Sequence, residues 1–387
     1  MNLPRIQEAL RRQSLDGWLF FDHHVRDPLA YRVLGLQPPG HVTRRWYYLI
    51  PATGEPKALV HRIEAGVIHG LPGDKAEYSS WQEQHAELGR MLKGMNRVAM
   101  QYSPLCAVPY VAMVDAGTIE LVRAQGVEVV SSAELIQEFE ACLNDEQFAT
   151  HLEAGRRMDR ICAGAFRFIG ERLSTGVDEM MVKDWVLEQF RNSGLITDSG
   201  PIVGVNGHAG DPHYDPSPET SSPILPGDFV LIDMWAKLDQ PGAIYYDITW
   251  DGFCGTPPDR VLNVFETVRD ARDRAIQAVV AAVEAKREIR GFEVDDAARA
   301  YIRDRGFGDR FIHRTGHSIG TETHGTGANM DNLETHDERR ILPGALFSVE
   351  PGIYLEDFGV RSEVNVFVTQ DSASTTGAVQ RELVRIG

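Results

Sequence analysis

Several things are scarce in this sequence, and each scarcity removes a class of protein. The 387 residues contain four cysteines, Cys106, Cys142, Cys162 and Cys254, far apart and with no C-x-x-C pair. A disulfide scaffold is excluded, and reduced thiols packed as small apolar groups are expected. No run of eighteen apolar residues occurs, so no membrane-spanning helix is expected. Basic residues are outnumbered, 39 Lys and Arg against 56 Asp and Glu, for a formal net charge of −17. Such a surface repels phosphate, which sets nucleic acid and anionic membranes aside as partners. The first nineteen residues carry Arg5, Glu8, Arg11, Arg12 and Asp16, unlike a signal or transit segment. A soluble cytoplasmic protein is the expectation.

What remains is an ordinary globular composition, 43% apolar and 25% charged, in a chain longer than one core usually fills. The first part alternates short helices and strands. A helix is expected over 4–15, with strands at 17–21, 46–50, 57–60, 97–100 and 127–130. Its six histidines (His23, His24, His41, His61, His69, His85) are scattered and form no catalytic constellation. A long helix is expected over 145–173 with Asn144 as its N-cap, then a second over 177–192 stopped by Gly194. The domain boundary is placed at residue 143, giving domains 1–142 and 143–387.

The second domain contains a faint duplication. Leu225-Pro226-Gly227-Asp228-Phe229-Val230-Leu231-Ile232-Asp233 matches Leu342-Pro343-Gly344-Ala345-Leu346-Phe347-Ser348-Val349-Glu350 at an offset of 117 residues. Each copy is a Pro-Gly turn, an apolar strand and then a carboxylate. A histidine pair precedes the first, His208 with His213, and another the second, His317 with His324. Helical blocks at 258–286 and 294–303 separate the copies. Two related αβ halves facing one another are expected.

Each copy continues into a returning strand with another carboxylate. A turn centred on Gln240 places Asp233 opposite Asp247, and a turn within 355–359 places Glu350 opposite Glu363. Like charges paired across strands are destabilising and need a positive partner. Each carboxylate alone reads as a solvated strand end. Four in matched hairpins, with a histidine, read as a divalent-metal site that could hold two ions. His317 is the best fifth ligand, since Gly316 and Gly320 permit close backbone approach and Ile319 implies a strand entering the core. Oxygen-rich ligation with one imidazole favours Mn²⁺, with Co²⁺, Fe²⁺ or Zn²⁺ as alternatives.

At Leu231-Ile232-Asp233, Tyr246-Asp247-Ile248-Thr249, Gly316-His317-Ser318-Ile319-Gly320, Val349-Glu350-Pro351-Gly352-Ile353-Tyr354 and Gly359-Val360-Arg361-Ser362-Glu363, the chain resembles the pita-bread metallopeptidases. That family comprises methionine aminopeptidase, prolidase and aminopeptidase P, and the resemblance covers about 143–387. The first domain is similar in length and layout to the creatinase-type domain of prolidases. The implied fold class is α/β (α+β): a pita-bread domain with pseudo-two-fold halves, preceded by a smaller creatinase-like α/β domain.

The resemblance implies a dinuclear site that activates water. Asp233 would bind one metal, Asp247 and Glu363 would bridge, and His317 and Glu350 would complete the other. Glu350 would also shuttle a proton, His213 and His324 would lie near substrate, and Arg361 beside the metals. His208 is ambiguous, and His313 reads as a supporting residue. The implied activity is hydrolysis before proline by an Xaa-Pro dipeptidase or aminopeptidase, on a small peptide and as a homodimer. The alternatives are a creatinase-like or lyase-type enzyme acting on a small non-peptide molecule and, from another class, a binding protein that has lost catalysis. The chain departs from the family near substrate: the Asp233–Asp247 hairpin is longer, Trp235 replaces a small residue, and Gly325 and Val364 replace acidic ones.

Overall fold

A computed structural model of the chain describes residues 1–38 and 40–387. The chain divides into two compact units, Met1–Glu140 and Ala141–Gly387. In the first, strands β1 (Gly17–Asp22), β2 (Trp46–Pro51), β3 (Lys57–His61), β4 (Asp74–Tyr78), β5 (Arg97–Met100) and β6 (Glu128–Ser131) form one mixed sheet, in the order β4-β3-β2-β1-β5-β6. Both faces are covered, so apolar residues run on without alternation. Trp18 and Phe20 point into one core, with Ile6, Leu10 and Tyr31 from helices α1 (Leu3–Arg12) and α2 (Pro28–Leu34). Leu19 and Phe21 point into the other, with Leu88 and Val122 from α3 (Trp81–Met91) and α4 (Ala116–Arg123). A short helix α5 (Ala133–Ile136) closes the first core. Sequence patterning finds every strand but β4, an edge strand with three charged residues in five.

The second unit opens with α6 (Asp145–Arg172) and α7 (Glu179–Asn192). Asn144 Oδ1 accepts the Gln147 N–H and the Gln147 side chain accepts the Asn144 N–H, a reciprocal cap that fixes where α6 starts. Gly194, at φ +63°, lies just beyond the end of α7. Strands β7 (Leu195–Ile196), β8 (Ile202–Val205), β9 (Phe229–Leu238) and β10 (Tyr246–Cys254) follow, then α8 (Asp259–Glu284) and α9 (Gly291–Asp304). The chain finishes with β11 (Leu346–Val349), β12 (Gly352–Tyr354), β13 (Gly359–Arg361), β14 (Val364–Val368), β15 (Ala373–Thr376) and β16 (Val384–Ile386). The order of a helix pair followed by a carboxylate-bearing hairpin therefore occurs twice, as the duplicated Pro-Gly segments imply.

The hairpin registers hold one correction. Asp233 lies opposite Thr249 and Asp247 opposite Trp235, so the two aspartates are diagonal neighbours rather than partners. The cause is a wider turn. The Ile244 N–H donates to Thr150 Oγ1 and the Tyr245 N–H to Gly320 O, so the β9–β10 ladder begins only at Tyr246. The slip is two residues, which preserves the face; a slip of one would have put the two carboxylates on opposite faces. The second hairpin follows the expected register, with Val349 opposite Val364 and Gly352 opposite Arg361. Ile319 is fully buried, but its segment forms isolated bridges, Gly316 with Met330 and Ser318 with Phe347, instead of the expected strand. Among the described residues no two cysteines form a disulfide, and no helix is long and apolar enough to cross a membrane.

Candidate metal centre

Alternation along the strands decides which side chains meet. Ile232, Met234, Tyr246 and Ile248 pack with Ala154, Met158 and Ala165 of α6. The opposite face of that hairpin carries Asp233 and Trp235 from β9, and Asp247, Thr249 and Asp251 from β10. In the second hairpin Phe347, Val349, Val364 and Val366 join Val264, Val268, Val294 and Ala298 of α8 and α9 in one core. This leaves Ser348, Glu350, Glu363 and Asn365 on the other side. The two polar faces then meet. Thr249 Oγ1 donates to Glu363 Oε2 at 2.8 Å. The Asp247 N–H donates to Asn365 Oδ1 at 3.2 Å, and Asn365 Nδ2 donates to Asp247 O at 2.5 Å.

His317 arrives from the loop after α9. A Cβ on Gly316 would stand 1.9 Å from Ser348 O, so only glycine lets this loop lie against β11. The His317 N–H donates to Ser348 Oγ and the Ser348 N–H to His317 O. Nδ1 lies 3.1 Å from Ser318 O and donates there, which leaves Nε2 as a lone-pair donor. Nε2 faces Glu350 Oε1 at 3.3 Å and Asp247 Oδ2 at 3.6 Å. One ligand atom each from Asp247, His317 and Glu363 lies within 4.8 Å of the others. Asp233 stands beside this trio and pairs with Arg361, whose Nη2 donates to Oδ2 at 2.5 Å. Arg361 also reaches Thr249 Oγ1, Tyr354 OH and Pro212 O, and His313 Nε2 lies 2.7 Å from the Tyr354 hydroxyl.

Asp233, Asp247, His317 and Glu363 are 8%, 4%, 4% and 2% exposed. Asp233 Oδ1, Asp247 Oδ1 and Glu363 Oε1 are buried without a hydrogen-bond partner. Buried carboxylate oxygens left unpaired are costly, and three in one cluster fit a cation as their partner. The electrostatics agree. Burial, then the neighbouring carboxylates, push Asp247 and Glu363 well above the usual carboxylate range. Burial raises Glu350 to about 7, against the pull of Arg361, and raises Asp233 likewise. Burial holds His317 well below its ordinary value, followed by His324 and Arg314. Without added positive charge the cluster retains protons; a divalent cation favours the charged carboxylates and the neutral imidazole.

His324 is set edge-on to His317, ring centroids 4.3 Å apart, and burial followed by Arg314 lowers its pKa. His213 is exposed on the loop whose Pro212 O meets Arg361, and it acts electrostatically on Asp233 and His324. His208 lies apart from the carboxylates: its Nδ1 is 2.8 Å from the fully buried Glu179, and its ring stacks on Tyr214. Sequence reasoning passed over Thr249, Ser348 and Asn365 as members of the site. Each sits two residues from a carboxylate on the same strand line, so period-two reading alone places them on its face.

A buried cluster of carboxylates and one imidazole between two helix-backed hairpins makes a candidate metal centre. Residues 153–370 match the model of metallopeptidase family M24, and the chain belongs to that family. The Xaa-Pro dipeptidase of Pyrococcus furiosus is 33% identical over 159 residues, which cover 41% of this chain and 42% of that protein. The probable dipeptidase PepE of Mycobacterium tuberculosis is 26% identical over 346 residues, covering 87% of this chain and 84% of that one. The crystal structure of dipeptidase PepE from Mycobacterium ulcerans shares the fold, with a TM-score of 0.71 at 23% identity, covering 99% and 96% of the two chains.

Proposed function

We propose that this metallopeptidase is an Xaa-Pro dipeptidase or aminopeptidase, cleaving the bond before proline in short peptides at a dinuclear centre. The observation that carries the reading is the set of partnerless buried carboxylate oxygens on Asp233, Asp247 and Glu363, next to the lone-pair face of His317. Asp233 would hold one ion, Asp247 and Glu363 both, and His317 and Glu350 the second. Divalent ions there, Mn²⁺ first, with Co²⁺, Zn²⁺ or Fe²⁺ as substitutes, would supply Lewis acidity and activate water at neutral pH.

The chain's own groups do the rest. Glu350, held by Ser348 Oγ at 3.0 Å, would take a proton and return it to the leaving amine. Arg361 holds Asp233 in place and Thr249 holds Glu363. His213 and His324, on the open side, would orient the scissile carbonyl and the departing nitrogen. The names of the relatives from Pyrococcus and Mycobacterium support dipeptide substrates. The family resemblance also supports a cytoplasmic homodimer. The test is metal-loaded protein against Ala-Pro, Ala-Pro-Ala, proline-free dipeptides and creatine, with elemental analysis. Selective cleavage before proline with near two equivalents of metal is expected; intact Xaa-Pro bonds at high enzyme concentration overturn the reading.

A further inference from the structure

Trp235 stands where the family pattern has a small residue, and the proposed chemistry gives it no part. Its place in the register is specific: it pairs directly with Asp247 and shares the face of Asp233. Its indole packs against the small core of Ile244, Tyr245, Ile319 and Leu346. The indole Nε1–H donates to Asp198 Oδ1 at 2.8 Å. Asp198 lies on the exposed segment between β7 and β8, and among the described residues Oδ2 has no hydrogen-bond partner. Asp198 is near enough to Asp247 and His324 to act on both electrostatically.

Charge separates Asp198 from the four central carboxylates. Cations in the centre would neutralise Asp233, Asp247, Glu350 and Glu363, and Arg361 is committed to Asp233. Asp198 is then an exposed carboxylate at the rim, held by an indole and outside the centre. A short peptide with a free N-terminus brings a compact cation to that rim, one residue from the bond to be cut. We propose that Asp198 is the anchor for the substrate's protonated α-amino group, with Trp235 positioning it and walling the first side chain. The proposal rests on the peptidase reading and narrows it to substrates with a free amine and a small first residue.

The experiment compares Ala-Pro with propionyl-proline, the same skeleton without the amine. For Mn²⁺-loaded wild-type protein, KM for Ala-Pro and Ki for propionyl-proline are measured, then again for Asp198→Asn and Trp235→Phe. A charged hydrogen bond accounts for roughly a 10- to 100-fold preference. Asp198→Asn should raise KM for Ala-Pro by about that factor, with kcat falling less than about three-fold and Ki for propionyl-proline nearly unchanged. Trp235→Phe, which keeps a ring but frees Asp198, should lose part of the same preference. If Asp198→Asn weakens both ligands equally, or leaves the preference intact, the anchor is overturned while the peptidase reading stands. If wild-type protein leaves Ala-Pro intact, both fall together.

Discussion

His151 offers the most quantitative check on how the catalytic unit is held. It lies on α6 with Nδ1 2.7 Å from Tyr245 O and Nε2 2.7 Å from Thr376 Oγ1. It thus ties the helix to the entry of β10, two residues before Asp247. Burial lowers its pKa from 6.5 to about 4. The folded chain keeps the ring neutral down to about pH 4, whereas the unfolded chain protonates it near 6.5. Between those values the unfolded state binds more protons, so the contribution is intact above 6.5 and lost as pH falls toward 4. That gap corresponds to about 3 kcal/mol in all, about 2 kcal/mol of it between pH 7 and pH 5. The assay is urea unfolding of EDTA-treated wild type and His151→Gln at both pH values. The central carboxylates titrate in both proteins, so the difference between their pH responses isolates His151. Wild type should lose about 2 kcal/mol more than the variant on going from pH 7 to pH 5. Equal losses would refute the reasoning, whatever the variant's stability at pH 7.

Three further outcomes follow from the same geometry. Asp247→Asn should release at least one equivalent of metal by elemental analysis and bring turnover to near background; full stoichiometry with an unchanged rate would remove it from the ligand set. Gly316→Ala drives a Cβ to within 1.9 Å of Ser348 O, so it should cost about 3 kcal/mol or more in denaturant unfolding and weaken metal retention on dialysis. Arg361→Lys keeps the charge but loses the fork that spans Asp233, Thr249 and Tyr354, and should lower kcat/KM by roughly 10- to 100-fold with the fold intact by circular dichroism.

The candidate site was legible in the sequence because its proposed ligands obey two simple periodicities. Pro-Gly turns mark the starts of the hairpins, and strand alternation then fixes a face for every residue beyond them. That is why Asp233 and Asp247 reached the same face although their register was misjudged by two. The error came from long-range partners: the N–H groups of Ile244 and Tyr245 go to Thr150 and Gly320, which no local pattern reveals. β4 was missed for the opposite reason, since an edge strand with mostly exposed, charged residues carries no apolar signal. The Glu179 anchor escaped because its four acceptor contacts, to Val205, His208, Tyr214 and Ser222, come from residues 26 to 43 positions away.

Backbone donors that face out of the second hairpin help explain how four repelling carboxylates can be held together. In the first hairpin, the ladder runs unbroken from Phe229 opposite Phe253 to Ala236 opposite Tyr246. In the second, the register is the same on both sides of a gap, but strand pairing stops at Glu350-Pro351 and at Ser362-Glu363. Proline has no N–H to offer the ladder, so the Pro351–Ser362 pair keeps a single bond, from the Ser362 N–H to Pro351 O. The Glu350 N–H donates to Thr315 O, on the segment that carries His317; the Glu363 N–H donates to Thr249 O, on the strand that carries Asp247. Glu350 and Glu363 form a non-hydrogen-bonded pair of this hairpin, so both N–H groups point outward, toward the neighbouring segments. These two outward donors cross-link the three segments that carry Asp247, His317 and the Glu350–Glu363 pair. Those backbone bonds do not depend on protonation state, unlike the side-chain contacts inside the cluster. The frame is therefore fixed by the main chain, and cations would complete its electrostatics rather than assemble its geometry.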